Sequence, residues 1–391
     1  MADNNIPLSS KPRFEILDGL RGVAAIIVVA FHLFETYSSG PCNQILNHGY
    51  LAVDFFFVLS GFVIGYAYDD RWGRMSTWNF FKRRLIRLQP MVILGTLIGA
   101  FWFYFGDAPA FELVAQTPWW KLLLIMLLGC LMFPTPPSMD IRGWSEINSL
   151  NGAAWSLMWE YVANILYALF IRRFSTKLLA AFVFLSAFLT IDLAMNVDTF
   201  SMLEARDYAK YTVIGGFGLS PDQIYIGIAR LLYPFFAGLL LYRLSKLRIN
   251  IKHGGMTWCS LAIATVLVIP HIGGDHPNWI NGLYCTIIIL LVFPMIVAAG
   301  AGSPLVGKKT TAICKWLGLI SYPLYITHYP MIYVQMNWVA QHPDAPLGTH
   351  IWVAVSIFIA AIAIAYASVQ VYDLPVRAWL AEKFLYKKSK A

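Results

Sequence analysis

Arg21 and His32 lie in the first long apolar stretch of this 391-residue chain. Charged and titratable side chains are costly inside a bilayer, so they usually serve a function there. Eleven positions separate the two residues, which returns to nearly the same helix face about 16 Å further along the axis. One helix face would therefore hold an anion at one depth and perform proton chemistry at another. The alternative is that Arg21 reaches the interface and that His32 is a satisfied interior histidine.

Two carboxylates flank this pair at helical spacing. Asp18 precedes Arg21 by three residues, and Glu35 follows His32 by three. Residues three apart are neighbours on a helix surface, so each carboxylate can contact its partner. An unprotonated imidazole oriented by a carboxylate is a general base for a hydroxyl group. We therefore predict that His32 is such a base and that Glu35 orients its ring.

Two further apolar runs contain polar residues suited to chemistry. Ser60, which a glycine follows, lies at mid-depth in the second run and indicates either close helix packing or a passage for a thin acyl chain or pantetheine arm. Ser156 follows Trp155 directly, and Glu160 lies four residues after Ser156. A carboxylate in such a run must pair, be protonated or face a cavity. The structural alternative for Glu160 is an ion pair between helices, for which Arg230 is one candidate partner.

The densest basic cluster, residues 82–90, includes Arg84 and Arg87. It is either a stop-transfer segment that contacts lipid headgroups or a site for the phosphates of a nucleotide-like donor, because guanidinium groups pair with phosphate bidentately. Tyr325 and His328 lie on one face of the ninth apolar run. The alternative for His328 is a hydrogen bond between helices.

The composition is that of an integral membrane protein. Hydrophobic residues make up 58% of the chain, charged residues only 13%, and the mean hydropathy is +0.61, whereas soluble domains carry about 25% charged residues. The net charge of +8 comes with no nucleic-acid-binding motif, so we expect no nucleic-acid partner. The five cysteines form no pair at metal-ligand spacing, and we expect no metal.

Ten apolar runs of spanning length predict an all-α polytopic membrane fold, with one domain over 1–391, spans from about 16 to 372 and a tail at 373–391. The runs lie near 16–37, 49–69, 89–106, 153–171, 178–196, 224–243, 256–270, 280–300, 316–336 and 350–372. An eleventh run, 119–133, is shorter. If it does not cross, 23 of the 29 Lys and Arg residues share one side. We therefore predict a re-entrant or interfacial segment there, with both termini and the tail cytoplasmic.

Together these residues resemble the acyltransferase-3 family of bacterial membrane O-acyltransferases, over about 13–372. Three motifs carry the resemblance: Arg21 with His32, the Asp-Phe-Phe-Phe-Val-Leu-Ser-Gly-Phe run at 54–62, and Trp-Ser-Leu-x-x-Glu at 155–160. Two weaker motifs are Arg84-x-x-Arg87-x-x-Pro90 and Ser321-Tyr322 … Tyr325 … His328. Gln89 departs from the family, which often has an aromatic residue before the proline.

The resemblance implies transfer of an acyl group, commonly acetyl, from cytoplasmic acyl-CoA to a sugar hydroxyl. The acceptor would be a surface polysaccharide or its lipid-linked precursor at a bacterial inner membrane, and the partners would be this carbohydrate and membrane lipids. The motifs and the resemblance together predict catalytic roles for His32, Glu35 and Glu160. They predict substrate-binding roles for Asp18, Arg21, Ser60, Arg84, Arg87, Trp155, Ser156, Arg230, Tyr325 and His328. His32 could act as a base or carry the acyl group itself.

Two other interpretations remain at this stage. The intramembrane charges could line the path of a transporter or flippase for a glycolipid or small anion, although the chain has no internal repeat or paired broken helices. Alternatively, the acceptor could be a small molecule. The chain ends about twenty residues after the last run, so we expect the membrane domain to complete the reaction itself or with a partner.

Overall fold

The computed structural model describes residues 11–106 and 110–385, apart from the side chain of residue 205. Over these residues the chain is helical and contains no strand. The helices are α1 (Glu15–Glu35), α2 (Ala52–Tyr68), α3 (Thr77–Phe105), α4 (Glu112–Gln116), α5 (Trp119–Leu131), α6 (Trp155–Leu169), α7 (Thr176–Ala194), α8 (Pro221–Arg243), α9 (Gly255–Val268), α10 (Trp279–Ile287), α11 (Phe293–Gly302), α12 (Lys308–Thr327), α13 (Tyr329–Gln341), α14 (Leu347–Ser368) and α15 (Leu374–Phe384).

Eight helical segments within the described residues are long and apolar enough to cross a membrane. The chain is therefore an all-helical multi-pass membrane protein, although the predicted count of ten spans is not confirmed. The eight segments are Glu15–Glu35, Asn47–Tyr68, Thr77–Phe105, Gly152–Arg173, Thr176–Ala194, Pro221–Arg243, Trp279–Gly302 and Leu347–Phe384.

The two remaining predicted spans differ from simple crossing helices. The run at 256–270 forms α9, whose 14 residues extend about 21 Å and fall short of the hydrocarbon thickness of about 30 Å. The run at 316–336 is divided between α12 and α13, which meet at His328. The sequence pattern recorded both as apolar runs but did not reveal where each helix ends.

A proline explains the junction between α12 and α13. Pro330 has no amide hydrogen, so the carbonyl oxygen of Ile326, four residues earlier, loses its helical donor. The side-chain amide of Asn151 donates to that oxygen at 2.7 Å. Asn151, which lies just before α6, therefore supplies the hydrogen bond that Pro330 removes and so stabilises the joint at His328.

Two helix pairs organise the interior: α1 packs along α12, and α2 packs along α8. The second pair approaches closely because both helices carry glycine at the contact. A Cβ atom on Gly61 would overlap the carbonyl oxygen of Phe235, and one on Gly238 would overlap that of Val58. The glycine after Ser60 is therefore a close-packing site, and the passage beside Ser60 stays a prediction.

The short helix α5 packs on α3. Its 13 residues extend about 20 Å, less than the hydrocarbon thickness of about 30 Å, and the re-entrant or interfacial location stays a prediction. Gln89, at the position that departs from the family pattern, donates to the carbonyl oxygen of Cys130 at 2.5 Å and accepts from Tyr161 at 2.8 Å. This amide therefore links α3 to α5 and α6.

The predicted tail begins as helix. A π-helical turn, Val369–Asp373, connects α14 to α15, and the helix ends at Phe384. Residues 386–391 lie outside the described residues. The cytoplasmic location of this tail stays a prediction.

Candidate active site

The imidazole of His32 is held by the carboxylate that the spacing predicted. Its Nδ1 lies 2.7 Å from Oε2 of Glu35, one turn later on α1. A carboxylate can only accept a hydrogen bond, so in the neutral ring Nδ1 carries the hydrogen and Nε2 keeps its lone pair. The contact is confirmed, and it selects the tautomer that a base or a nucleophile needs.

A second histidine lies beside the first. The ring centroids of His32 and His328 are 5.4 Å apart. Nδ1 of His328 faces the carbonyl oxygens of Tyr325 at 2.8 Å and Leu324 at 3.1 Å, so this nitrogen carries the hydrogen. Its Nε2 is buried and has no hydrogen-bond partner among the described residues. His328 thus bonds within its own chain segment, not across helices, and offers a free lone pair next to His32.

Glu160 forms a separate polar group with residues of two other helices. Its Oε1 accepts from Ser60 on α2 at 2.8 Å and from Arg84 on α3 at 2.7 Å. Glu160 therefore forms an ion pair between helices, the structural alternative, but its partner is Arg84 and not Arg230. No bond between Glu160 and His32 occurs among the described residues, and its catalytic role stays a prediction.

Arg230 is committed to a buried ion pair with Asp54. Two guanidinium nitrogens lie 2.7 Å and 3.3 Å from the two carboxylate oxygens, and a third contact reaches the carbonyl oxygen of Tyr50 at 2.7 Å. Arg230 is 3% exposed and Asp54 is 0% exposed. The ring of Trp155 lies 5.0 Å from the Arg230 guanidinium carbon. These contacts occupy the donors that substrate binding would need, so the geometry favours a structural role for Arg230.

Ser156 and Tyr325 form a further link between α6 and α12. Their hydroxyl oxygens are 2.7 Å apart, and both residues are buried. The ring of Tyr325 lies 5.9 Å from that of His328. The Ser156 and Tyr325 positions of the motifs are therefore brought together, on the side of the two histidines.

In the N-terminal halves of α1 and α3, arginines outnumber the carboxylates. Arg21 pairs with Asp18 at 3.3 Å, as the spacing predicted. Arg87 has no hydrogen bond or ion pair with any described residue, and several charged side chains lie near it. Those charges belong to Arg21, Arg84, Asp373 and Arg377. We call Arg21, Arg84, Arg87 and Arg377 the arginine cluster. The guanidinium of Arg87, unpaired within the described part of the chain, is suited to binding a phosphate.

The structure also brings two carboxylates that the motifs do not include into the candidate site, one near the histidines and one at the arginine cluster. Glu146, in the long connection 107–152, is 8% exposed and accepts from the hydroxyl of Tyr333 at 3.1 Å. Asp373, in the π-helical turn, pairs with Arg377 at 2.9 Å. The length of the connection was the only sequence signal for Glu146, since long loops often carry function. Across the described residues, no group of three or more His, Cys, Asp or Glu residues could hold a metal.

A family model described as an acyltransferase domain, Acyl_transf_3, matches residues 14–369. The chain belongs to the acyltransferase-3 family. It is therefore an acyltransferase enzyme, and the match includes both histidines, the Glu160 group and three members of the arginine cluster.

Individual relatives of this acyltransferase have low sequence identity to it. Protein 2 in the picA locus of Rhizobium radiobacter is 34% identical over 176 residues, which are 43% of this chain and 88% of that protein. O-acetyltransferase OatA of Staphylococcus aureus is 26% identical over 327 residues, 81% of this chain and 50% of the relative. Peptidoglycan O-acetyltransferase OatA of Listeria monocytogenes is 24% identical over 340 residues, 81% and 49% respectively. The acyltransferase thus spans about half the length of these two relatives, and no solved structure matches it.

Proposed function

We propose that the protein transfers an acyl group, most simply acetyl, from cytoplasmic acyl-CoA to a sugar hydroxyl. The acceptor is a surface polysaccharide or its lipid-linked precursor at a bacterial inner membrane, with both termini of the chain cytoplasmic. The proposal depends chiefly on one observation: Glu35 holds His32 with its Nε2 lone pair free, at the far end of the helix that carries Arg21.

His32 supplies the acid–base chemistry of this reaction. Its Nε2 takes the proton from the acceptor hydroxyl while the hydroxyl oxygen attacks the thioester carbonyl carbon. The carbon–sulfur bond breaks, and the proton passes from His32 to the departing sulfur, which leaves as the thiol of CoA. Glu35 stabilises the imidazolium ion that forms between these two proton transfers, because its carboxylate accepts from Nδ1 at 2.7 Å.

The arginine cluster supplies the donor site. CoA carries several phosphate charges, and arginine pairs with phosphate bidentately. Arg87 supports this role best, because it has no partner among the described residues and its neighbours include Arg21 and Arg84. Arg21 and His32 lie on one continuous helix, with about 16 Å between their positions, so the donor's phosphates and the acceptor hydroxyl approach different ends of α1.

The relatives support the acetyl group and the carbohydrate acceptor. The Staphylococcus aureus relative is an O-acetyltransferase, and the Listeria monocytogenes relative is a peptidoglycan O-acetyltransferase. Peptidoglycan is one member of the surface-polysaccharide class that we propose for this enzyme.

Mass spectrometry of surface glycans tests this function. Cells that lack the chain are compared with cells complemented by the wild-type protein or by His32→Ala. We expect an added acyl mass on the glycan only with the wild-type protein, because alanine removes the base. The amount of each variant in the membrane fraction must be equal, so that loss of product reflects lost chemistry.

The exposed His276 provides the matched control, and His276→Ala should acylate normally. Acylation by His32→Ala at the wild-type level would contradict the mechanism. A glycolipid that crosses the membrane unmodified in wild-type cells would favour the flippase interpretation instead.

A further inference from the structure

The connection before α6 is built into the protein rather than exposed on its surface. Residues 146–152 are all buried. The amide of Ile147 donates to the carbonyl oxygen of Phe217 at 2.8 Å, and its own carbonyl oxygen accepts from Thr135 at 2.9 Å. Nε of Arg142 donates to the carbonyl oxygen of Ser149 at 2.5 Å. These bonds hold the segment in place and direct Glu146 inward.

The carboxylate of Glu146 has fewer hydrogen bonds than a buried charge requires. Oε2 accepts from Tyr333, but Oε1 has no donor among the described residues. The guanidinium of Arg142 lies 3.5 Å from the ring centroid of Tyr333 and forms no ion pair with the carboxylate. A buried carboxylate with one neutral donor is incompletely satisfied, and native proteins usually supply the missing partner.

One tyrosine ring separates this carboxylate from His32. The ring of Tyr329 lies 4.8 Å from that of His32, centroid to centroid. The edge of the Tyr329 ring and Oε1 of Glu146 both lie against Gly152. A Cβ atom added to this glycine would be 2.6 Å from the Tyr329 ring and 3.0 Å from Oε1 of Glu146. Glu35, the carboxylate that holds His32, lies near enough for its charge to raise the pKa of Glu146. The free oxygen is therefore beside the acceptor end of the site.

We propose that Glu146 binds the acceptor, and that its free Oε1 accepts a hydrogen bond from a hydroxyl other than the one acylated. This inference rests on the proposed function. An ionised carboxylate repels anions and attracts hydroxyl donors, so it selects a polyhydroxylated acceptor that is uncharged where it meets Glu146, such as a neutral pyranose unit.

The ionisation of Glu146 makes this binding depend on pH. Burial raises the pKa of Glu146 to about 7, and the charges of Glu35 and Asp140 act in the same direction. The hydroxyl of Tyr333 and the charge of Arg142 oppose this rise in pKa. The carboxylate is ionised above about pH 7 and is the stronger acceptor there, so acceptor binding should tighten as the pH rises through 7.

Kinetics of Glu146→Gln test the proposal. The full-length protein in lipid nanodiscs receives saturating acetyl-CoA and native surface glycan extracted from cells that lack the protein. We expect KM for the glycan to rise about tenfold, because one charged hydrogen bond is lost, while kcat stays within about twofold. The wild-type KM should fall between pH 6 and pH 8, and the variant KM should not.

Two further variants serve as controls. Glu112→Gln makes the same change at an exposed carboxylate of the same connection and should leave both constants unchanged. Glu146→Asp keeps the charge and should give a KM between those of the wild type and Glu146→Gln. Equal unfolding temperatures would show that the folded state is retained.

A fall in kcat with unchanged KM, or no change in either, would overturn the binding role of Glu146. Binding of the same glycan without donor separates this inference from the proposed function. A wild-type protein that binds glycan but never acylates it refutes the proposed function alone. Equal glycan binding by the wild type and Glu146→Gln refutes the role of Glu146.

Discussion

The chemistry of the two histidines depends on which nitrogen carries the hydrogen. In both rings Nδ1 faces groups that can only accept: the Glu35 carboxylate for His32, and backbone carbonyl oxygens for His328. Both Nε2 atoms therefore keep their lone pairs, with 5.4 Å between the ring centroids. One lone pair is enough to deprotonate a hydroxyl. The second can accept a hydrogen bond from the bound acceptor and so help to orient it.

The buried pair of Asp54 and Arg230 gives a prediction about stability. Asp54→Asn leaves the Arg230 guanidinium without a counter-charge in the interior, and we expect a loss of about 3–5 kcal/mol. Asp54→Leu combined with Arg230→Met removes both charges and should recover much of that loss. Thermal unfolding in detergent measures both variants. If Asp54→Asn lowers activity while its unfolding temperature stays at the wild-type value, the structural role is incorrect.

The sequence predicts the contacts that a single helix creates, because residues three apart are always neighbours on its surface. Asp18 with Arg21 and Glu35 with His32 are such contacts, and both are present. The partner of Glu160 was not predictable in this way. Several basic residues lie at plausible depths, and only the packing of α6 against α3 selects Arg84 instead of Arg230. Glu146 was missed because its burial depends on how a long connection folds back into the protein.

At the level of elements, the joint between α12 and α13 positions side chains of the candidate site and depends on one side-chain hydrogen bond to the backbone. Pro330 removes a helical hydrogen bond, and Asn151 replaces it from the start of α6. The same joint places His328 against His32 and begins α13, which carries Tyr329 and so contacts the ring of His32 as well. The proline is visible in the sequence. Its effect on the span was not, since the apolar run continues through it.

A double-mutant cycle tests this joint. Asn151→Ala leaves the Ile326 carbonyl oxygen without a donor, and we expect a loss of about 1–3 kcal/mol in stability. Pro330→Ala restores an amide hydrogen that can bond to the same oxygen, so Asn151→Ala should cost less in that background. Thermal unfolding of the four proteins gives the coupling. Equal losses in both backgrounds would show that Asn151 does not compensate for the proline.

For the whole molecule, composition was enough to predict an all-helical membrane protein, because few charged residues and long apolar runs leave no other fold class. The number of crossings was harder to predict. Hydropathy records how apolar a run is, whereas a crossing also requires an unbroken helix of sufficient length. α9 lacks the length, and the α12–α13 segment is interrupted at His328.

The separation of the arginine cluster from the histidines predicts a sided enzyme. In proteoliposomes of one orientation, acetyl-CoA in the compartment that contains the N terminus should support transfer to glycan in the opposite compartment. Arg87→Ala removes the guanidinium without a protein partner, so KM for acetyl-CoA should rise about tenfold while KM for the glycan stays unchanged. Mass spectrometry of the glycan measures the product at each donor concentration.

The exposed Arg74 is the matched control for this experiment, because Arg74→Ala removes a similar charge from the connection between α2 and α3. If general surface charge attracted the donor, both variants would raise its KM, and added salt would weaken the effect. A specific phosphate contact requires that only Arg87→Ala changes KM, and that the change disappears when acetyl-pantetheine, which lacks the nucleotide phosphates, replaces acetyl-CoA. Transfer that proceeds only with donor and glycan in the same compartment would contradict the proposed arrangement, because both substrates would then reach one end of α1.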